Sequence, residues 1–219
     1  MQTLSSLLFP LLAALLSYLV GSLSFAVIVS RAMGLGDPRS YGSRNPGATN
    51  VLRSGNKLAA VITLLLDAIK GWLPVFLVQQ YGAEFGLTDG SVALAALSAF
   101  LGHLYPVFFR FKGGKGVATA AGVLVGIHPL LGLGCGLVWI LVVTLTRYSS
   151  LAALFAAVLA PAFYLMAGGG LWTMSKGVLA ALAAISALLF YRHRENIVRL
   201  VQGRESRLGA GAGKRGGSR

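Results

Sequence analysis

The chain has 219 residues, 56% hydrophobic and only 11% charged, with a mean hydropathy of +0.75. Soluble domains carry about 25% charged residues, so this composition excludes a soluble globular protein and a disordered chain. The net charge of +13, from 19 Lys and Arg against 6 Asp and Glu, would point to nucleic acid in a soluble protein. In a membrane protein it is first a topological signal, and no nucleic-acid partner is read from it.

Seven apolar segments are predicted, each to be matched against the roughly 20 residues that cross a bilayer as a helix. The first, Leu4 to Val29, lacks a basic leading region and a clear small-residue cleavage site, so it reads as a retained span. A polar, Gly-rich stretch from Arg31 to Lys57 follows, with five basic residues and one acid. The second segment runs from Leu58 to Gln80. A short loop with Glu84 and Asp89 leads to the third, Ser91 to Phe109, which ends at Arg110-Phe111-Lys112-Gly113-Gly114-Lys115-Gly116. The fourth, Val117 to Ile127, is short, since about 11 residues rise only about 16 Å as a helix. It is either a half-helix or a crossing of a locally thin region. His128-Pro129 marks a break, and the fifth segment continues to Thr146. The sixth covers Leu151 to Ala167 and contains no cysteine. Cys135, in the fifth, is the single cysteine and excludes a disulfide framework. The seventh runs from Ser175 to Tyr191.

Lys and Arg fill the loops after segments one, three and five and the tail. The other loops are acidic or neutral apart from Lys176. This alternation predicts an N-terminus outside and a cytoplasmic C-terminus. Six crossings, the alternative, would break it. The expected fold is an all-α polytopic membrane protein with seven transmembrane helices, one of them short. A single membrane domain spans residues 1–203, and residues 204–219 form a basic, Gly-rich, disordered tail suited to anionic lipid.

Three polar motifs remain after the topological charges are set aside. The first, Gly42 to Arg53, offers hydroxyls (Ser43, Thr49), carboxamides (Asn45, Asn50), arginines and turn glycines such as Gly47. That mixture suits a phosphate, through converging backbone N–H groups and an Arg fork. It equally fits an interfacial turn with a helix cap. The second, His103 to Gly116, sets Lys112 and Lys115 around Gly113 and Gly114. Those lysines suit a phosphate by point charge or serve as a positive-inside anchor, and the spacing is not that of a P-loop. His103 lies inside a span, where ionisable groups face a protein interior or a cavity; the sequence puts no acid near it. The third, Tyr191 to Glu205, sets His193 and Asn196 on one helix face. An amphipathic exit helix is its plainer reading. Asp67 and Lys70, three apart in the second span, form either a self-neutralising pair or part of an ion pathway. The few histidines, acids and the lone cysteine give no metal-ligand cluster.

Ser43-Arg-Asn-Pro-Gly-Ala-Thr-Asn50, His103-x-x-Pro-x-Phe-x-x-Phe-Lys-Gly-Gly-Lys-Gly116 and the run from Arg192 to Glu205 resemble, in order, the three cytoplasmic motifs of the bacterial integral-membrane acyl-phosphate:glycerol-3-phosphate acyltransferases. Gly21-Ser22-Leu-Ser-Phe-Ala resembles the lead-in to the first. Arg44 departs from the pattern, since many relatives carry Gly there, and the family does not require the basic tail. The resemblance implies acyl transfer from acyl phosphate to position 1 of glycerol 3-phosphate in the bacterial inner membrane, on its cytoplasmic side. It implies substrate-assisted chemistry without a protein nucleophile, a cofactor or a metal, and a monomer. Ser43, Arg53, Lys115, His193 and Asn196 would position the substrates. Asn45, Gly47, Thr49, Asn50, His103, Lys112, Gly113, Gly114, Gly116 and Ser150 would complete the binding set. No His is followed five residues on by Asp, which excludes the His-x4-Asp base of other glycerol-3-phosphate acyltransferases. The rival reading is a small transporter or ion pathway built on Asp67, Lys70 and His103.

Overall fold

The computed structural model describes residues 2–209, with side chains from Leu7 onward. All the predicted apolar segments are helical, and among the described residues the only β pairing is an isolated bridge between Gly168 and Trp172. The helices are α1 (Gln2–Gly21), α2 (Phe25–Ala32), α3 (Ala48–Leu52), α4 (Lys57–Tyr81), α5 (Asp89–Leu104), α6 (Val117–Ile127), α7 (Pro129–Thr146), α8 (Ser149–Met166), α9 (Lys176–Arg192) and α10 (Arg194–Val201).

Four helical stretches, α4, α5, α7 and α8 with the short turns that extend the first two, are long and apolar enough to cross a membrane. The bent pairs α1–α2 and α9–α10 raise the number to six, and α6 is the short apolar helix expected at that place. The first segment departs from the sequence reading. It is broken at Ser22–Ser24 and bent by 41°. Such a break frees backbone groups that lipid cannot satisfy. Here the Leu23 carbonyl accepts a hydrogen bond from Lys70 Nζ at 2.6 Å, and Lys70 is in turn 2.6 Å from Asp67 Oδ1. The buried pair on α4 therefore neutralises itself and also closes the gap in the neighbouring span.

Packing follows small residues, as in other helical membrane proteins. Gly21 lies against the Ala99 carbonyl and Gly102 against the Tyr18 carbonyl, so α1 and α5 approach backbone to backbone. Gly71 against Thr119 and Gly122 against Ala68 bring α4 and α6 together in the same way. A side chain at any of these four positions would collide with main chain. Phe100, Leu104, Val123, Leu131 and Leu182 fill the interior, while Leu7, Leu64, Leu141 and Leu145 face outward. His128 Nδ1 accepts from the Leu130 N–H at 3.3 Å and starts α7 where the sequence breaks.

The division after residue 203 passes through a packed contact. Glu205, Ser206 and Leu208 hydrogen-bond to Ser150, Arg53 and Arg147 respectively. The rest of the expected tail, residues 210–219, lies outside the described residues.

Candidate active site

The three polar motifs meet at one end of the bundle. In the first, the loop between α2 and α3 is tied together by Asn50. Its Oδ1 accepts from the Ser43 N–H at 2.9 Å, and its Nδ2 donates to the carbonyls of Pro38 at 2.6 Å and Tyr41 at 3.1 Å. Asn50 is buried and its amide is fully engaged, so it shapes the loop from behind rather than facing outward as a ligand. The Ser43 and Thr49 side chains are exposed, and Asn45 and Gly47 are half-buried beside each other. Arg53 leaves the end of α3, with Nη1 3.5 Å from Asn50 Oδ1 and Nη2 donating to Ser206 Oγ at 2.7 Å.

The second motif is a turn between α5 and α6 with almost no spare room. The Gly114 N–H donates to the His103 carbonyl at 3.2 Å. Gly114 lies against the His103 ring and the Pro46 carbonyl, which joins this turn to the first motif, while Gly113 lies against the His103 and Leu104 carbonyls. Gly116, at φ +86°, opens α6 in the left-handed region that glycine enters freely. Arg192 grips the turn from the third motif: Nη2 donates to the carbonyls of Gly113 and Gly114, each at 2.9 Å, and Nε to Gly114 at 3.1 Å. The sequence reading did not include Arg192 among the positioning or binding residues. Its place directly before the bend was the available signal.

Lys115 then projects toward α10, where its ammonium donates to Asn196 Oδ1. Asn196 Nδ2 donates to Glu205 Oε1 at 2.6 Å, which also accepts from Ser150 Oγ at 2.8 Å, while Arg199 Nε donates to Glu205 Oε2 at 2.7 Å. Burial pushes the Lys115 ammonium down to about 8, against the raising effect of Glu205. Burial also acts to raise the Glu205 carboxyl, but the hydrogen bonds from Arg199, Asn196 and Ser150 outweigh it and hold that group below the ordinary carboxylate range.

His193 sits in the 58° bend between α9 and α10, past the end of the seventh span. Its Nδ1 is 2.8 Å from the Leu189 carbonyl. A carbonyl only accepts, so Nδ1 carries the proton and Nε2 the lone pair. Burial, followed by the charge of Lys115, lowers its pKa to about 4. An unperturbed histidine titrates near 6.5. His193 is therefore neutral near pH 7, with one nitrogen committed to the helix end.

His103 is buried on the inner side of the glycine turn. Its Nδ1 is 3.0 Å from Thr119 Oγ1 and 3.7 Å from Asp67 Oδ1. An acid therefore does lie near it, contrary to the sequence reading, and Asp67, Lys70, His103 and Thr119 form one buried polar cluster under the turn. Beside the motifs opens a cleft of about 630 Å³, lined by Arg31, Arg39, Arg44, Arg110 and Lys112 and bounded by Gly113 and Pro46. Of these, only Lys112 and Gly113 were singled out from sequence as binding residues.

Cationic loops knitted by glycine and asparagine gather at one end of an apolar helical bundle, the arrangement of an integral-membrane protein with a phosphate-suited face. The glycerol-3-phosphate acyltransferase family model matches residues 11–203, and the chain belongs to that family. It is 64% identical over 201 residues to the glycerol-3-phosphate acyltransferase of Albidiferax ferrireducens, covering 92% of this chain and 90% of the relative. Over 199 residues it is 62% identical to that of Paraburkholderia phymatum, covering 91% and 92%. Among solved structures it resembles PlsY (YgiH), an integral membrane glycerol 3-phosphate acyltransferase. The glycerol 3-phosphate form aligns with a TM-score of 0.83 at 41% identity over 91% of this chain and 96% of that one. The lysophosphatidic acid form aligns at 0.81 and 40%, over 91% and 95%.

Proposed function

We propose that this acyltransferase moves a fatty acyl group from acyl phosphate to the sn-1 hydroxyl of glycerol 3-phosphate, acting as a monomer at the cytoplasmic face of a bacterial inner membrane, with its N-terminus outside. The observation that carries this reading is the meeting of Arg53, Lys115 and the exposed Ser43 loop where polar turns join the apolar spans. A donor with a phosphate head and a fatty tail needs that boundary.

In the proposed step the glycerol hydroxyl oxygen bonds to the acyl carbonyl carbon, the carbon–oxygen bond to phosphate breaks, and a phosphate oxygen of the leaving group takes the hydroxyl proton. The products are lysophosphatidate and hydrogen phosphate. Phosphate is a good leaving group, so the protein's part is orientation and charge stabilisation. Lys115 and Arg53 neutralise phosphate. Asn196, Glu205 and Ser150 aim the Lys115 ammonium, and Arg192 and His103 keep the glycine turn in place. His193, whose pKa of about 4 makes it a weak base, serves to hold rather than to take a proton.

The test uses the purified full chain in detergent with acyl phosphate and labelled glycerol 3-phosphate. Labelled lysophosphatidate should form without added metal, and acyl-coenzyme A should not replace the donor. Each charge-assisted contact is worth about 1.5–3 kcal/mol, so Arg53→Ala should lower kcat/KM roughly ten- to a hundredfold. Transfer from acyl-coenzyme A alone, or an Arg53→Ala variant with wild-type kinetics, would refute the assignment.

A further inference from the structure

The cleft beside the active site holds five cationic side chains, from Arg31, Arg39, Arg44, Arg110 and Lys112, and is separate from the Lys115 cluster. One of them is already neutralised: Arg39 pairs with Asp37 through Nε–Oδ1 at 3.0 Å and Nη2–Oδ2 at 2.6 Å, and its guanidinium lies 6.0 Å above the Phe109 ring. Asp37 is the sole acid between Gly21 and Asp67 and also feels the charge of Arg31, while among the described residues no salt bridge engages Arg31, Arg44, Arg110 or Lys112. Positive-inside placement accounts for such residues near a membrane but not for their convergence on one cavity.

Two of the four are also held in an uncommon backbone state. Arg44 and Arg110 both have φ +55°, and Phe111, next to Arg110, has φ +57°. Residues with a Cβ avoid this region at a cost of about 1 kcal/mol, and such conformations gather at binding sites. The cleft is not wholly polar either. Val27 and Phe108 line it. Phe108 is 58% exposed, as is Phe111, and Ile28 is exposed one residue beyond Val27. The cavity thus combines cationic side chains with apolar lining, and exposed apolar side chains adjoin it.

We infer that this cleft is a second anion site, built for the phosphate head of a single-chain lipid whose tail leaves across Val27 and Phe108. Both an acyl phosphate and a lysophosphatidate have that chemistry. The inference deepens the proposed reaction and rests on it for the ligand's identity, while the site itself rests on the cleft. A lipid phosphate held here would wait beside the glycine turn, next to but not on the Lys115 cluster.

The experiment measures binding of dodecyl phosphate, which cannot donate an acyl group, to the full chain in a maltoside detergent. Inorganic phosphate, dodecylphosphocholine and lysophosphatidate are the comparison ligands. Wild-type protein should bind dodecyl phosphate at least about tenfold more tightly than inorganic phosphate or the zwitterionic lipid. Exposed charge pairs contribute modestly, so removing two should weaken binding about tenfold. That loss is expected for Arg31→Gln with Arg110→Gln, and recovery for Arg31→Lys with Arg110→Lys. Lys115→Ala weakens phosphate binding at the neighbouring active site and should leave a second dodecyl phosphate binding component, which the Arg31 and Arg110 substitutions remove. Tighter binding of lysophosphatidate than of dodecyl phosphate assigns the cleft to the product, and the reverse order assigns it to the donor. Unchanged binding in the Gln double variant, loss of every dodecyl phosphate component in Lys115→Ala alone, or equal affinity for inorganic phosphate would each overturn the inference. None of these outcomes depends on lysophosphatidate formation, so a failure of the proposed reaction is read separately.

Discussion

Lys115 makes the most direct test of how burial shapes this site. Its ammonium is held by Asn196 and faced by Glu205, yet desolvation dominates and the group titrates at about 8 instead of 10.5. A lysine with that value is about nine-tenths protonated at pH 7 and about one-tenth protonated at pH 9. If the charge is needed to capture phosphate, kcat/KM for glycerol 3-phosphate, which reports the free enzyme, should fall about tenfold per pH unit above about pH 8. The substrate is not the source of the fall, because the second phosphate proton is lost near pH 6. A bound phosphate dianion favours the charged ammonium, so kcat should hold to higher pH than kcat/KM. Lys115→Arg, whose charge persists above pH 12, should lose the alkaline limb whatever its absolute rate. Stability moves in the opposite sense. Between about pH 8 and 10.5 the unfolded chain binds the Lys115 proton more tightly than the folded one, so this group makes stability rise with pH across that window. The assay is initial-rate kinetics from pH 6.5 to 9.5 at fixed ionic strength. A flat wild-type kcat/KM, or the same limb in Lys115→Arg, would refute the reasoning.

His193→Gln should keep kcat within about tenfold and leave the acid limb of the pH profile unchanged, because the imidazole is neutral and tied to Leu189. A loss of about 10²–10⁴-fold together with that limb would instead mark it as a general base. Asp67→Asn should strongly lower the thermal stability of the detergent-solubilised protein, since it leaves the Lys70 charge buried without its partner, a loss of about 3–5 kcal/mol. Asp67→Leu with Lys70→Leu should recover part of that loss; an unshifted transition in the single variant would show that the pair does not support the fold.

The segments and motifs were legible because each is local. Apolar runs, glycine doublets and the alternation of Lys and Arg depend on neighbours in sequence. What escaped depends on pairs brought together by packing. Nothing in Gly21-Ser22-Leu23-Ser24 announces a helix break, since the group that closes it, Lys70, is 47 residues away. His103 looked isolated from acids because Asp67 reaches it only through the close approach of α4 and α6 and the placing of α5 beside them. Asn50 reads from sequence as one more polar ligand, and only burial shows that its amide is committed to Pro38, Tyr41 and Ser43. The cleft arginines were hidden for the opposite reason. Arg31, Arg39 and Arg110 sit where topology alone would place cations.

The bond from Lys70 to the Leu23 carbonyl also makes the shape of the first span depend on a later one. A nascent chain delivers its first hydrophobic segment to the bilayer before α4 exists, and at that stage the segment has no lysine to meet Leu23. An uninterrupted helix from Leu4 to Val29 would satisfy its own backbone in lipid, so the early segment is best served by staying straight. The bent form has its freed carbonyl satisfied only once α4 supplies Lys70. The contact supplies from a second helix the bond that the break removes from the first, and Arg31 lies beyond that bend in the same cleft as Arg110. The placing of Arg31 is thereby coupled to the Asp67–Lys70 pair of another span, and a chain whose two helices were not joined would leave the Leu23 carbonyl without that partner.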